Sequence, residues 1–328
     1  MHRVSQVREA LKSFVFGPEG FRHRCDIGLL DPQAEVSVWL HGWGAPCDVT
    51  YRNVIADARP LTIGIGLEGN WERTATSRTR PSLKFHERGG ASQLLGEIGL
   101  KFVDSIPLGR EQLNLFKVRS CTNHCLPKVR LWSFYLFWAW QRWRSRRRVD
   151  PSNLQLTALE SYCLCAFYIC PRPVVLVSVV DGNVGNIFPM DLIGPIGTRC
   201  FSLALSSTST GVPLMERSRR IALSSVALEQ TSVAYELGKN HKKPGVAWEQ
   251  LPFATTTSAA FGLPVPQFSL RVQEMQIAEV RAMGSHKLFI CNTIEDQCYR
   301  DGLQLFIVHG FYRAWRQRQR PRPSATAK

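Results

Sequence analysis

A turn rich in hydroxyl groups is the first part of the sequence whose residue types could do chemistry. The run SSTSTG, Ser206 to Gly211, offers up to five hydroxyls and a glycine. It stands directly before TGVPLMERSR, which is predicted to form a short helix with Ser209 or Thr210 as its N-cap. A phosphate is bound where several N–H and O–H donors converge at the start of a helix. The turn therefore predicts an anion site; the alternative is a turn that only caps the helix.

Two other stretches of the sequence carry further candidate residues. The stretch VVDGNVGNIFPMDLIG, Val179 to Gly194, follows the predicted strand VVLVSVV and is rich in glycine and asparagine. A plain hairpin needs only two turn residues, such as Asp181-Gly182. We interpret the rest as a loop whose backbone lies against another group. His286 stands beside a predicted strand, in Gly284-Ser285-His286, and a structural role for it is the alternative.

The sequence predicts no metal site. Cys121-Thr-Asn-His-Cys125 has no second ligand pair at zinc-site spacing. Several of the ten cysteines lie in apolar runs, where a thiol behaves as a small hydrophobe. Because no export signal is evident, we interpret the thiols as reduced and the protein as cytoplasmic.

The length and charge of the chain limit the kinds of partner that it can have. The 328 residues suffice for two domains, and a formal net charge of +15 favours nucleic acid, a membrane surface or a phosphate-bearing cofactor. The basic runs Gln141 to Arg148 and Arg313 to Pro323 are interpreted as solvated helix ends or tails, without a nucleic-acid motif. LWSFYLFWAW is too short to span a bilayer and predicts an aromatic helix on the core, with an interfacial membrane role as the alternative. YCLCAFYICPRPVVLVSVV is divided by Pro171-Arg172-Pro173 into two strand-length pieces.

The two halves of the chain echo each other. IPLGREQLNLFKVRS and RAMGSHKLFICNT both place a glycine before a Leu-Phe strand, and each half ends in an aromatic and arginine-rich segment. A period of about 140 residues suits two tandem copies of one domain. SRRRVDPSN marks the boundary, which gives domains 1–149 and 150–328. Alternating β-branched and aromatic runs predict a mainly β protein, an antiparallel barrel crossed by short helices such as TGVPLMERSR and TSVAYELGKN.

In this order and spacing, the second half, Pro171 to about Arg316, resembles the flavin reductase-like, FMN-binding split-barrel family. The resemblance rests on VVLVSVV with Asp181-Gly182, NIFPMDLIG, FSLALSSTS running into a helix, FGLPVPQFSL and GSHKLFI. It implies a split β-barrel that binds FMN, with FAD as a possibility. The implied cofactor-binding residues are Asn186, Ile187, Phe188, Met190, Asp191, Leu192, Ser206, Ser207, Thr208 and Ser209. The family often has a small hydroxyl residue where Met190-Asp191 stand.

The resemblance also implies a reaction. His286 would lie near the flavin and the entering nicotinamide, although Ser285 replaces the aspartate of the family's frequent Gly-Asp-His. The chain would be an NAD(P)H-dependent flavin oxidoreductase that transfers hydride to FMN, with a partner oxygenase as one acceptor. A flavoprotein acting on its own small substrate and a non-catalytic FMN-binding module are the alternatives. The first half lacks the serine-rich turn and the histidine, so it would be a degenerate copy that completes a homodimer-like arrangement within one chain.

Overall fold

The structure is a computed structural model that describes residues 24–30, 35–69, 80–88, 92–145 and 156–319. None of the helices in these ranges has the length and apolar character required to cross a bilayer. The predicted domain boundary, SRRRVDPSN, lies almost entirely outside the described residues.

The first half consists of strands and one long helix. In chain order these are β1 (Cys25–Leu29), β2 (Val36–His41), β3 (Cys47–Asp48), β4 (Asn53–Ala58), β5 (Leu61–Glu68), β6 (Ser82–Glu87), β7 (Leu94–Leu108), β8 (Glu111–Asn123) and α1 (Lys128–Ser145).

The second half has more strands and more helices. In chain order these are α2 (Ala158–Phe167), β9 (Arg172–Pro173), β10 (Val175–Asp181), β11 (Val184–Met190), β12 (Ile193–Pro195), β13 (Cys200–Ser206), α3 (Gly211–Ser218), β14 (Arg220–Ser225), α4 (Thr231–Glu236), β15 (Thr255–Thr257), β16 (Pro264–Pro266), β17 (Arg271–Ala282), β18 (His286–Cys298), β19 (Gln304–Val308) and α5 (Gly310–Gln319). Short 3₁₀ helices cover Leu228–Gln230, Leu237–Lys242 and Trp248–Gln250.

Two seven-stranded antiparallel sheets dominate the fold, and their strand orders correspond. One sheet has the order β3-β2-β6-β7-β8-β5-β4, and the other has β11-β10-β14-β17-β18-β13-β12. Each strand of the first sheet therefore has a counterpart at the same place in the second, and the long hairpin β7–β8 corresponds to β17–β18. The predicted fold class, mainly β with an antiparallel split barrel and short helices, is confirmed.

The two sheets meet through one apolar cluster and two reciprocal loop contacts. The cluster combines residues of both sheets: Val54, Ala56, Ile106, Leu113, Leu115, Ile196, Ala204, Leu288 and Ile290. Ser285, in the β17–β18 turn, donates its N–H to the carbonyl of Arg59 between β4 and β5 at 3.1 Å. In the corresponding contact, Glu111 at the start of β8 accepts the Thr198 N–H between β12 and β13 at 2.9 Å. Each hairpin tip thus rests on the other sheet.

A third sheet joins the beginning of the described chain to its end. Its order is β1-β19-β9, with Cys25 opposite Val308. Helix α1 packs beside α5, where the Phe134 and Phe311 rings are 5.1 Å apart. The helix predicted from LWSFYLFWAW is confirmed, as are the short helices in TGVPLMERSR and TSVAYELGKN.

Two predictions about local structure were wrong. The first strand-length piece, YCLCAFYIC, lies mostly in the helix α2, which a capping box begins: the Glu160 N–H donates to the Thr157 hydroxyl and the Thr157 N–H to the Glu160 carboxylate. The stretch interpreted as a loop after Asp181 is the strand β11. It forms a plain hairpin with β10 through the two-residue turn Gly182-Asn183, where Gly182 has a φ of 59°.

Gly66→Ala tests the close packing of the two sheets. A Cβ at Gly66 in β5 would lie 1.8 Å from the carbonyl oxygen of Ile196, in the other sheet. Because backbone lies on both sides of this contact, we expect the free energy of unfolding to fall by at least about 2 kcal/mol. Gly238→Ala is the matched control, since a Cβ there meets nothing within 4 Å. Urea unfolding measures both, and equal stability of the two variants would contradict the packing.

Candidate functional site

The hydroxyl-rich turn and the candidate histidine lie side by side. Ser206, the last residue of β13, is the register partner of His286, the first residue of β18. The Ser207 N–H donates to the carbonyl of Ser285 at 3.0 Å. The sheet therefore brings together two groups of predicted site residues that are about 80 positions apart in the sequence.

Asp57 reaches this place from the first half of the chain. Its carboxylate is buried, and its Oδ1 accepts the Ser285 hydroxyl at 2.7 Å and the Ser285 N–H at 3.1 Å. Burial opposes ionisation of Asp57, but hydrogen bonds from His286, Ser285 and the Arg59 N–H outweigh it, so the pKa of Asp57 lies below its ordinary value. The site therefore holds a fixed negative charge at neutral pH.

This carboxylate fixes the orientation of the histidine. The Nδ1 atom of His286 lies 3.2 Å from Oδ1 of Asp57 and 2.8 Å from the Ser285 hydroxyl. A carboxylate can only accept, so Nδ1 carries the proton. No hydrogen bond joins Nε2 to any of the residues that the structure describes. In this arrangement Nε2 is the nitrogen that remains for a ligand.

The segment Leu237–Lys243 closes the other side of the turn and uses several predicted residues. Asn186 donates to the carbonyls of Asn240 and Lys243 at 3.1 and 3.0 Å. The Thr210 N–H donates to the carbonyl of His241 at 3.0 Å. Asn186 is thus occupied by an internal contact, which positions the backbone of β11.

His241 links this segment to β11 and to the turn. Its Nε2 lies 2.9 Å from the carbonyl of Pro189, so Nε2 donates. Its Nδ1 lies 3.4 Å from the Ser209 hydroxyl, which donates to it. Burial lowers the pKa of His241, outweighing the bond to Pro189 and the nearby Asp191. Neutral His241 therefore uses both ring nitrogens in holding Pro189 and Ser209 together.

The predicted apolar residues differ in accessibility. Ile187, Phe188 and Met190 are buried, and the Phe188 ring lies 4.8 Å from the His241 ring. Leu192 is half-buried, and its carbonyl accepts the Ala204 N–H at 2.9 Å. Phe188, which packs against Gly211 at the start of α3, and Met190 form an apolar floor beneath the turn, whereas Ile187 belongs to the core cluster on the other face of β11.

Asp191 is held at the edge of that floor. Its Oδ2 accepts the Tyr168 hydroxyl at 2.7 Å and lies 3.5 Å from the Arg24 guanidinium. Burial and the Asp191 charge raise the pKa of Tyr168, so this hydroxyl stays protonated and donates. The carboxylate is half-buried and therefore still borders the accessible surface.

The exposed part of the site suits a phosphate with a planar group beside it. Ser207 and Thr208 are exposed, and so are Lys242 and Lys243 of the neighbouring segment. Thr210 donates its hydroxyl to the carbonyl of Lys243, which places the lysines beside the turn. Hydroxyls, a helix start and cations together form an anion site. A planar ring could lie beside this turn against the backbone of the half-buried residues Pro189, Asp191 and Leu192.

Sequence reasoning missed Asp57. All six residues of β4, NVIADA, are buried, so a lone acid in an apolar strand was the available signal. The described residues contain no group of three or more His, Cys, Asp or Glu side chains placed to hold a metal ion. All ten cysteines lie in the described residues, and none of them forms a disulfide.

Comparison with known proteins gives structural neighbours only. No protein-family model matches the chain, and no curated protein is similar to it. The FMN-binding protein from Thermus thermophilus is 21% identical, with a TM-score of 0.38, over 42% of this chain and 81% of that protein. The NADH:FAD oxidoreductase of Streptomyces globisporus C-1027 is 15% identical, with a TM-score of 0.42, over 49% of this chain and 95% of that one.

A third neighbour is the flavin reductase component of a bacterial two-component tryptophan halogenase. It is 14% identical, with a TM-score of 0.40, and the match covers 45% of this chain and 91% of that one. These neighbours are flavin reductases and FMN-binding proteins, the kind of protein that the second half of the sequence resembles.

His241→Gln tests the role of His241 through pH. Because the folded pKa lies below the ordinary value of 6.5, the unfolded chain takes up the proton first as pH falls. The stability that neutral His241 contributes is complete above that value and is lost as pH falls through it towards the folded pKa. We expect the free energy of unfolding, measured in urea, to fall less between about pH 7.5 and 5.5 in H241Q than in the wild type.

The difference in slope is at most about 1.4 kcal/mol per pH unit, the value for one proton. His124→Gln, at an exposed histidine, is the control and should follow the wild type. Parallel curves for H241Q and the wild type would show that His241 does not hold the turn as described.

Proposed function

We propose that the protein binds FMN at the turn Ser206–Ser209 and transfers hydride to it from NAD(P)H. The observation that carries this proposal is the contact between an exposed hydroxyl turn and a histidine whose orientation is fixed by a buried carboxylate. Ser207 and Thr208 are exposed, and His286, which is buried, lies next to them through the pairing of β13 with β18.

The phosphate end of the flavin would be held by the turn. The Ser207 and Thr208 hydroxyls are exposed and stand just before α3, and Lys242 and Lys243 add positive charge beside them. A single phosphate is enough to contact all of these groups, which favours FMN. The adenylate of FAD would extend beyond them. The ring would lie over Pro189, Asp191 and Leu192.

The histidine would contact the reacting partners. A bound flavin supplies the hydride chemistry, which requires no protein acid or base. Nε2 of His286 would hydrogen-bond to the flavin or orient the nicotinamide, while the Asp57 carboxylate holds the proton on Nδ1. In the family's frequent Gly-Asp-His the aspartate precedes the histidine; here that position is Ser285, and the carboxylate comes from Asp57 instead.

This arrangement gives the first half a role. We propose that domains 1–149 and 150–328 form an internal pseudo-dimer, in which the first domain has no flavin site of its own and completes the site of the second. The corresponding strand orders and the reciprocal contacts of Ser285 and Glu111 support this proposal. Reduced flavin would be used in place or passed to a partner oxygenase.

The decisive experiment is an absorbance spectrum of the protein after addition of FMN and desalting, followed by anaerobic NADH or NADPH. Retained colour that bleaches supports both binding and hydride transfer. Retained colour that persists with either nucleotide would leave an FMN-binding module and contradict the reductase proposal. When no colour is retained, turnover with excess FMN decides: bleaching of free flavin supports a reductase that releases its product, and no turnover contradicts the proposal.

Removing the two exposed hydroxyls tests the phosphate site. We expect Ser207→Ala with Thr208→Ala to raise the Kd for FMN at least about tenfold, the equivalent of one hydrogen bond to a charged group. Riboflavin, which lacks the phosphate, should bind both proteins equally. Thr256→Ala with Thr257→Ala, at two exposed threonines of β15, is the matched control. Equal weakening of FMN and riboflavin would show that the turn does not bind the phosphate.

Asp57→Asn tests the carboxylate. Asparagine keeps the size but not the charge, and its amide can donate as well as accept, so the preference for the Nδ1–H tautomer of His286 is lost. We expect the rate of flavin reduction in stopped flow to fall about tenfold, while FMN affinity changes less than about threefold. His286→Gln should lower the same rate, and Asp181→Asn, at another ion-paired aspartate, should leave it unchanged. An unaltered rate in D57N would contradict this role.

A further inference from the structure

The helix α1 has a second apolar face that the fold leaves exposed. Leu131, Phe134 and Trp138 are buried, and the Trp138 ring lies 5.6 Å from the Phe311 ring of α5. The opposite side of the helix carries Val129, Trp132, Leu136, Trp140 and Trp143, here called the tryptophan stripe. The side chains of Trp132, Leu136 and Trp143 are 68%, 65% and 55% exposed.

The stripe is regular and concentrated. At about 100° per residue its five members fall within a sector of about 80°, and at about 1.5 Å per residue they extend over about 21 Å. Of the thirteen large apolar side chains exposed among the described residues, five belong to it, including every exposed tryptophan. A continuous exposed apolar stripe of this kind indicates an interaction surface.

Charge indicates what kind of surface fits the stripe. The sequence of α1, KVRLWSFYLFWAWQRWRS, has four basic residues and no acidic one. In a pair of these helices, parallel or antiparallel, basic ends would face basic ends with no acid to offset them. A second copy of the chain is therefore disfavoured, and an anionic partner is favoured.

We propose that α1 docks the protein on the surface of an anionic phospholipid membrane. Tryptophan is the side chain that settles at the boundary between head groups and acyl chains, and lysine and arginine reach from there to the head groups. Lys128 and Arg130 are exposed at one end of the stripe, whereas Arg142 packs on the Tyr162 ring on the protein side of the helix. The helix lies along the surface and does not enter the bilayer, with its opposite face still packed on the protein.

The second basic helix, α5, adds charge at the beginning of α1. Arg318 of α5 donates to the carbonyl of Cys125, just before α1 begins. Arg318 is exposed and adds positive charge near Lys128, while α5 itself packs against the face of α1 opposite to the stripe. Docking on an anionic surface also places part of the protein's net charge of +15 against opposite charge.

Vesicle sedimentation with the full chain tests the proposal. We expect the protein to sediment with phosphatidylcholine vesicles that contain phosphatidylglycerol, but not with phosphatidylcholine alone, and to be released by about 0.5 M salt. Trp132→Ser with Leu136→Ser should lower the partition coefficient at least about tenfold. Ile294→Ser with Tyr299→Ser, at exposed apolar residues elsewhere, should leave it unchanged.

Charge variants separate the basic contribution from the apolar one. Lys128→Glu with Arg130→Glu should weaken binding to the anionic vesicles, and Lys117→Glu with Arg119→Glu, exposed residues of β8, should have a smaller effect. Thermal unfolding and FMN binding should be unchanged in all four variants, which keeps this test independent of the proposed flavin site.

Three outcomes would overturn membrane docking. Equal sedimentation of W132S/L136S and the wild type would exclude the stripe. Self-association in sedimentation velocity that W132S/L136S abolishes, without vesicle binding, would assign the stripe to a second copy. Binding to polyglutamate without binding to vesicles would assign it to an acidic protein.

Discussion

The carboxylate of Asp57 is buried where the two sheets meet, and a charge in that position is stable only when hydrogen bonds compensate its lost hydration. Those bonds come from Ser285, from His286 and from the Arg59 backbone. The sheets must therefore pack in one register, because a shift of one residue would remove the donors of Ser285 and His286 and leave the charge with the Arg59 N–H alone. The apolar cluster around Ile106 and Ile290 provides the area of contact, and Asp57 makes the contact specific.

The same constraint explains why the two halves differ in chemistry although their strand orders correspond. His286 and Glu111 both begin the second strand of a long hairpin and both reach across to the opposite sheet. One contact combines a histidine, a serine and a carboxylate beside an exposed hydroxyl turn. In the other contact, the glutamate accepts a hydrogen bond from a backbone N–H. Equivalent positions thus carry a potential site in one case and only a structural contact in the other.

Local residue patterns were sufficient to predict the fold class. Strands with alternating apolar and polar residues, joined by turn residues, each specify an antiparallel hairpin without information from distant parts of the chain. They failed for α2, where an apolar run looked like a strand and the capping box of Thr157 and Glu160 was the overlooked signal. At the candidate site, Ser206 to Ser209 and His286 were predicted from the sequence, and the structure brings them together. Asp57 was not predicted, because its partners Ser285 and His286 are 228 and 229 positions away in the sequence. Such a contact depends on how whole sheets pack. The internal partners of Asn186 depend likewise on a distant segment, Leu237–Lys243.

A crystal structure of the protein with FMN bound would test the central claim most directly. The account predicts a phosphate on the hydroxyls of Ser207 and Thr208 and a ring within reach of Nε2 of His286, with Asp57 still bonded to Nδ1. A flavin bound by residues of the second half alone, with Asp57 and His286 remote from it, would contradict the claim that both halves build one site. A crystal grown at saturating FMN that shows this surface empty would contradict the flavin site itself.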